Sequence, residues 1–274
     1  MVDGSKTGRK SKGILLDFFT SPCKCRCGVP NRQARLLAGE LTKNHEFPWS
    51  STIHAIRNNT IQEIHGSLIN NRYIITAASQ ILGLTPLDLK ITLGQYDRCY
   101  ADSSSTNMSV DKILMHPDFS ETTGTHDLAL IKLNSPVHFE RRVQPICLST
   151  PNTRYLGQVA TLFGWTGDKQ SACVPRKLGL PVLDQSVCIS VTQNSQNQNK
   201  HCIGVVGAKS LICSDDAGGP VMFRSQGGTY ELIGILSFYN NCHTNESLVY
   251  YTALNDHLSW ITQNTRDACY CYKF

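Results

Sequence analysis

An all-β architecture, a sandwich or a pair of barrels, is what this chain of 274 residues predicts. Short stretches rich in Ile, Thr and Tyr alternate apolar and polar residues and recur about every ten residues between turn residues, the pattern of an antiparallel sheet protein. Glycine and proline punctuate the whole chain. The length suits one large domain or two small ones, and single all-β domains reach this size.

Residues 1–22 read as a polar, basic, flexible tail, and Cys23 to Arg35 as a short cysteine-rich leader, so that 1–35 precede a domain spanning 36–274. Strands are expected at Ser51–Ile56, Gln62–Ile69 and Arg72–Ala78, where the alternation has period two. Leu87–Gln95 and Met108–His116 follow as strands flanking a polar loop that contains Cys99. In the second half the strands are Gly157–Phe163, Lys177–Leu183, Ser210–Cys213, Pro220–Arg224, Tyr230–Phe238 and Leu248–Leu254. Asp184–Cys188 reads as a helical turn, and Leu254–Thr265, with apolar residues at helical spacing, as the closing helix.

Composition narrows the function classes. The net charge is +5, but Lys6, Arg9, Lys10 and Lys12 against Asp3 put +3 of it in the first twelve residues. The rest is close to neutral, which makes a solvated tail the better reading than nucleic-acid binding. No apolar run approaches a membrane span. Twelve cysteines, an even number spread over the chain, indicate disulfides and an oxidising, extracellular compartment. Cys23-x-Cys25-x-Cys27 is a weak rival as a metal site, because it lacks the two-residue spacers of zinc knuckles. Nothing else in the sequence calls for a metal or a cofactor. Sequons at Asn58, Asn107 and Asn245 add weak support for secretion. Against it, the apolar stretch at Ile14–Phe19 is short and interrupted by Asp17, so no signal peptide is visible.

Six stretches carry the functional signal: Arg35-Leu36-Leu37-Ala38-Gly39-Glu40, Glu46-Phe47-Pro48-Trp49, Tyr73-Ile74-Ile75-Thr76-Ala77-Ala78-Ser79-Gln80, Thr125-His126-Asp127-Leu128-Ala129-Leu130-Ile131-Lys132-Leu133, Val143-Gln144-Pro145-Ile146-Cys147-Leu148 and Cys213-Ser214-Asp215-Asp216-Ala217-Gly218-Gly219-Pro220. Together they resemble the activation site, barrel opening, catalytic-base motif, triad-aspartate motif, leader tether and nucleophile loop of trypsin-like serine proteases. The resemblance covers roughly residues 27–265. It implies two six-stranded antiparallel β-barrels, a C-terminal α-helix and a disulfide-tethered N-terminal leader. It also implies disulfides Cys27–Cys147, Cys188–Cys202 and Cys213–Cys242, and cleavage after Arg35 that frees Leu36 to pair with Asp216. Cys23, Cys25, Cys99, Cys173, Cys269 and Cys271 remain, with on the order of fifteen possible pairings. One of these joins the two terminal Cys-x-Cys pairs and leaves Cys99 to Cys173. The leader is too short for a clip-type domain.

The departures from the pattern are as informative as the matches. Ala217 stands where the family has its nucleophilic serine, and a methyl group cannot attack a carbonyl. Ser79 stands where the family has its histidine base, and a serine hydroxyl cannot take a proton near neutral pH. Asp127 keeps the third triad position but has no imidazole to orient, so a buried structural role is expected. Asp215 replaces an oxyanion-hole glycine; its carboxylate would repel a developing oxyanion, where a donor is worth roughly 10²–10³-fold in rate. Leu211 at the pocket floor, with Tyr239 and Val249 on its walls, fills the space for a substrate side chain. Ile64 and Gln80 replace both halves of one family disulfide. His126 is expected to face away from the vacant base site, on the rule that neighbours in a strand alternate. His65 reads as a packed histidine, and His54, His116, His138, His201, His243 and His257 carry no motif. The set resembles the secreted, inactive protease homologues of invertebrate immune and developmental cascades, which implies binding to extracellular proteins, active proteases or their substrates. A hydrolase using other residues is the alternative, but no nucleophile–base pair suggests itself.

Overall fold

The computed structural model describes residues 23–31, 40–100, 105–165, 173–192, 201–207, 216–237 and 248–273. Arg35, Leu36, Leu211, Cys213, Asp215, Tyr239 and Cys242 lie outside the described residues, as does the expected strand at Ser210–Cys213.

After a short strand β1 (Glu40–Leu41), six strands form a closed barrel: β2 (Ser50–Arg57), β3 (Thr60–Leu68), β4 (Tyr73–Thr76), β5 (Leu89–Leu93), β6 (Thr106–Met115) and β7 (Ala129–Leu133), ordered β2-β3-β4-β7-β6-β5. The β2–β3 hairpin turns on Asn58-Asn59, both left-handed at φ 48° and 61°, with Arg57 opposite Thr60. Two consecutive left-handed residues in a two-residue loop match the twist of the strands they join, and asparagine tolerates that conformation. One helical turn, α1 (Ala78–Ile81), follows β4 directly.

The second half holds β8 (Cys147–Leu148), β9 (Val159–Gly164), β10 (Arg176–Pro181), α2 (Gln185–Thr192), β11 (His201–Gly204), β12 (Pro220–Arg224), β13 (Tyr230–Leu236), β14 (Leu248–Ala253) and α3 (Leu258–Asn264). The strands run β1-β10-β9-β12-β13-β14-β11, with β8 lying parallel against β13. The six from β10 to β11 curl until a bridge between Val182 and Ile203 joins their ends, so β1 and β8 are additions to a six-stranded core. β11 has no counterpart among the sequence-predicted strands. α2 runs past the expected Asp184–Cys188 turn, and the closing helix is split into a 3-10 turn at Leu254–Asp256 and α3.

The barrels meet on aromatic side chains. Phe47 packs against Trp49, Phe163 and Tyr230 at ring-centroid distances of 5.0–5.7 Å, and the buried Trp49 indole donates to the Met222 sulfur at 3.1 Å. Ile64, in place of a family cysteine, is buried among this first-barrel core, while the Gln80 carbonyl accepts a hydrogen bond from Arg57 at 2.8 Å.

Five disulfides join described residues: Cys23–Cys269, Cys25–Cys271, Cys27–Cys147, Cys99–Cys173 and Cys188–Cys202. Cys23, Cys25 and Cys27 are therefore cross-linked rather than gathered on a metal. Leader and C-terminal tail also share a short parallel ladder: Cys23 N–H donates to Tyr270 O, Cys27 N–H to Tyr272 O and Tyr272 N–H to Cys25 O, at 2.9–3.0 Å. Gly28, at φ +66°, then presses its backbone onto that of Tyr230, where a Cβ would collide with the Tyr230 carbonyl. Only glycine meets both demands.

Candidate functional site

Ser79 sits in α1, immediately after the buried strand β4, and Asp127 just before β7, the strand paired with β4. This topology brings the two residues together. The Ser79 backbone N–H donates to Asp127 Oδ1 at 2.7 Å, and the Ser79 hydroxyl to Oδ2 at 2.8 Å. From the second barrel, the Ser237 hydroxyl donates to the same Oδ2 at 2.6 Å. Asp127 is 0 % exposed. A buried carboxylate needs such donors, and three are supplied. The arrangement satisfies a charge, with both hydroxyls acting as donors to the carboxylate.

Removing one of these donors has a measurable consequence. Ser237→Ala is expected to lower unfolding free energy by about 2 kcal/mol, the range for a hydrogen bond to a buried charge. Ser79→Ala should cost less, because its backbone N–H stays in place. Urea unfolding of the two variants distinguishes this from a site with redundant contacts, for which both would lie within error of wild type.

Ala217 is buried where the β12 approach turns. The loop around it is tightly held: Gly218 N–H donates to Leu236 O at 2.8 Å, Gly219 N–H to Asp216 O at 3.0 Å and Leu236 N–H to Gly219 O at 2.9 Å. Gly218 is left-handed at φ +85°, and a Cβ there would strike His65 O and Thr76 Oγ1. The loop therefore keeps a strained, glycine-dependent backbone, with a methyl group at its tip. Asp216 is buried, its carboxylate filling the space a side chain at Gly164 would take. Val249 is buried in the second-barrel apolar cluster with Leu162, Val182, Ile203 and Tyr251.

Two histidines need placing. His65 is buried and stacks on Trp165, ring centroids 5.3 Å apart and planes within 5°. His126 departs from the strand rule applied to it: it lies in a turn at φ 51°, not in a strand. Its ring faces His257, Nδ1 to Nε2 at 3.0 Å, and stacks on His116 with centroids 5.0 Å apart. This three-histidine cluster escaped the sequence reading, since its members come from β6's end, a turn and the start of α3.

Comparison with known proteins follows the same residues. Residues 37–261 match the Trypsin family. Phenoloxidase-activating factor 1 of Holotrichia diomphalia is 29 % identical over 265 residues, covering 88 % of this chain and 72 % of its own. Phenoloxidase-activating factor 3 of the same organism is 29 % identical over 279 residues, 93 % and 79 % of the two chains. CLIP domain-containing serine protease B4 of Anopheles gambiae is 32 % identical over 282 residues, 94 % and 76 %.

Proposed function

The chain belongs to the trypsin family of serine proteases, and we propose that it is a secreted, catalytically inactive member that acts by binding other proteins of an extracellular proteolytic cascade. The observation that carries this is the Asp127 site: its carboxylate takes the hydroxyl of Ser79, at the position of the family's imidazole, and Ala217 offers no nucleophile. Asp215, Leu211, Tyr239 and Val249 extend the same reading to the oxyanion hole and the substrate pocket. A protein that keeps the scaffold and drops the chemistry retains its surfaces, and on this reading it serves as cofactor, adaptor or decoy beside active proteases or their substrates; relatives named phenoloxidase-activating factors support a place in such a cascade. Five disulfides fit an oxidising compartment, and no helix among the described residues is long and apolar enough to cross a membrane. Cleavage after Arg35, with the new Leu36 ammonium pairing with buried Asp216, would serve as a switch on binding.

The test uses the purified chain before and after a cut at Arg35. A fluorophosphonate probe and a broad peptide library should detect neither labelling nor turnover. Ala217→Ser should also stay unlabelled, because Ser79 cannot accept the hydroxyl proton. Labelling of the wild-type chain, or turnover lost on changing one residue, overturns inactivity. Capture from extracellular fluid should recover different partners with cut and uncut forms, and equal recovery ends the switch.

A further inference from the structure

We propose that His116, His126 and His257 form a divalent transition-metal site, with Zn²⁺ as its occupant and a fourth position open to solvent. One ring nitrogen from each lies within 4.8 Å of the others. His126 Nδ1 and His257 Nε2 are 3.0 Å apart. Two imidazole nitrogens bound tetrahedrally at the usual zinc distance sit roughly 3.3 Å from each other. That pair is already near its bound separation, and a small rotation of the third ring closes the set.

The surroundings fit ligation as well as the spacing does. His257 Nδ1–H donates to Ala253 O at 2.8 Å, which fixes the tautomer and leaves the Nε2 lone pair facing His126. The Asp118 backbone N–H donates to His116 Nδ1 at 3.3 Å, a long bond that ligation through Nε2 would exchange for an Nδ1–H facing the Asp118 carboxylate, now 4.0 Å away. A carboxylate behind a ligating imidazole is the usual second support for zinc. Asp256, next to His257, adds negative charge nearby. Backbone bonds hold two of the ligands: His116 N–H to Leu128 O and His257 N–H to Leu254 O, both 2.9 Å. His116 and His257 are 9 % and 6 % exposed, and Trp260 walls the cluster 4.9 Å from the His116 ring. His126 is exposed, which supplies the entry path and the open coordination position. Three nitrogen donors without thiolate or a cage of oxygens suit Zn²⁺ and its neighbours, and exclude Mg²⁺ and Ca²⁺.

The site has a structural meaning. It would clamp the turn that leads into Asp127 to the start of α3, tying the first barrel to the closing helix beside the degenerate triad.

Titration calorimetry of the full chain, produced without a polyhistidine tag, tests this with ZnCl₂ alone. One equivalent of Zn²⁺ should bind, with CaCl₂ and MgCl₂ giving no signal. His126→Asn is the informative variant: His126 is exposed, and asparagine accepts its left-handed backbone. Its Zn²⁺ affinity should fall at least tenfold while its circular dichroism spectrum is unchanged. Co²⁺ supplies a readout that does not depend on any variant: intense visible bands of tetrahedral coordination should appear and vanish on adding Zn²⁺. Equal Zn²⁺ affinity in His126→Asn, or only the weak bands of octahedral Co²⁺, would overturn the proposal.

Discussion

Lys177→Ala should destabilise the protein by about 3–5 kcal/mol, the range for breaking a buried ion pair. The Lys177 side chain is 1 % exposed, its ammonium 2.7 Å from a Glu46 carboxylate that is itself 2 % exposed and 3.7 Å from Glu40. Glu46 also accepts the Lys43 N–H at 2.9 Å. Truncating the lysine strands the Glu46 charge in the interior, where water cannot reach it. The pair fastens the segment carrying β1 to β10, so its loss should loosen the attachment of the chain start to the second barrel. Replacing both partners, as Lys177→Met with Glu46→Leu, removes the stranded charge and should recover most of the loss. Urea unfolding decides it: a single-variant loss below about 1 kcal/mol would mean that water relaxes into the site.

The second large effect concerns the two terminal Cys-x-Cys pairs. Replacing Cys23, Cys25, Cys269 and Cys271 together by serine should cost about 5 kcal/mol, whereas removing one bridge should cost far less. Each bridge spans 246 residues of sequence. With Cys27–Cys147 in place, the shorter path still runs over about 100 residues, for which chain entropy gives about 4.7 kcal/mol. Once one bridge exists, the other closes only the two-residue steps between the pairs, and adds little. Guanidinium unfolding under oxidising conditions should therefore show strong non-additivity. Equal losses from the two single removals, summing to the double, would contradict the nested-loop account.

Much of this was legible in the sequence, for identifiable reasons. β2, β3, β12, β13 and β14 read correctly as short runs of apolar and β-branched residues between turn residues, and β13 and β14 are buried along their whole length. β11 escaped because its four residues are too few for a period to register. β1 and β8 are two-residue pairings that exist only through their partners. The degenerate positions 79, 127 and 217 were legible as residue types, but the three donors on Asp127 were not, since Ser237 arrives from another barrel. His126 faces away from the base site as expected, but through a left-handed turn rather than the alternation of a strand. The partners of the six unassigned cysteines stayed open because spacing carries no information about which chain ends meet in space.

The clamp between leader and tail also changes how the molecule answers to force. Tension applied between its two ends is carried by the Cys23–Cys269 and Cys25–Cys271 cross-links before it reaches a single strand. Mechanically the body between Cys23 and Cys271 is a closed ring, in which a pull on the ends loads covalent bonds before hydrogen bonds.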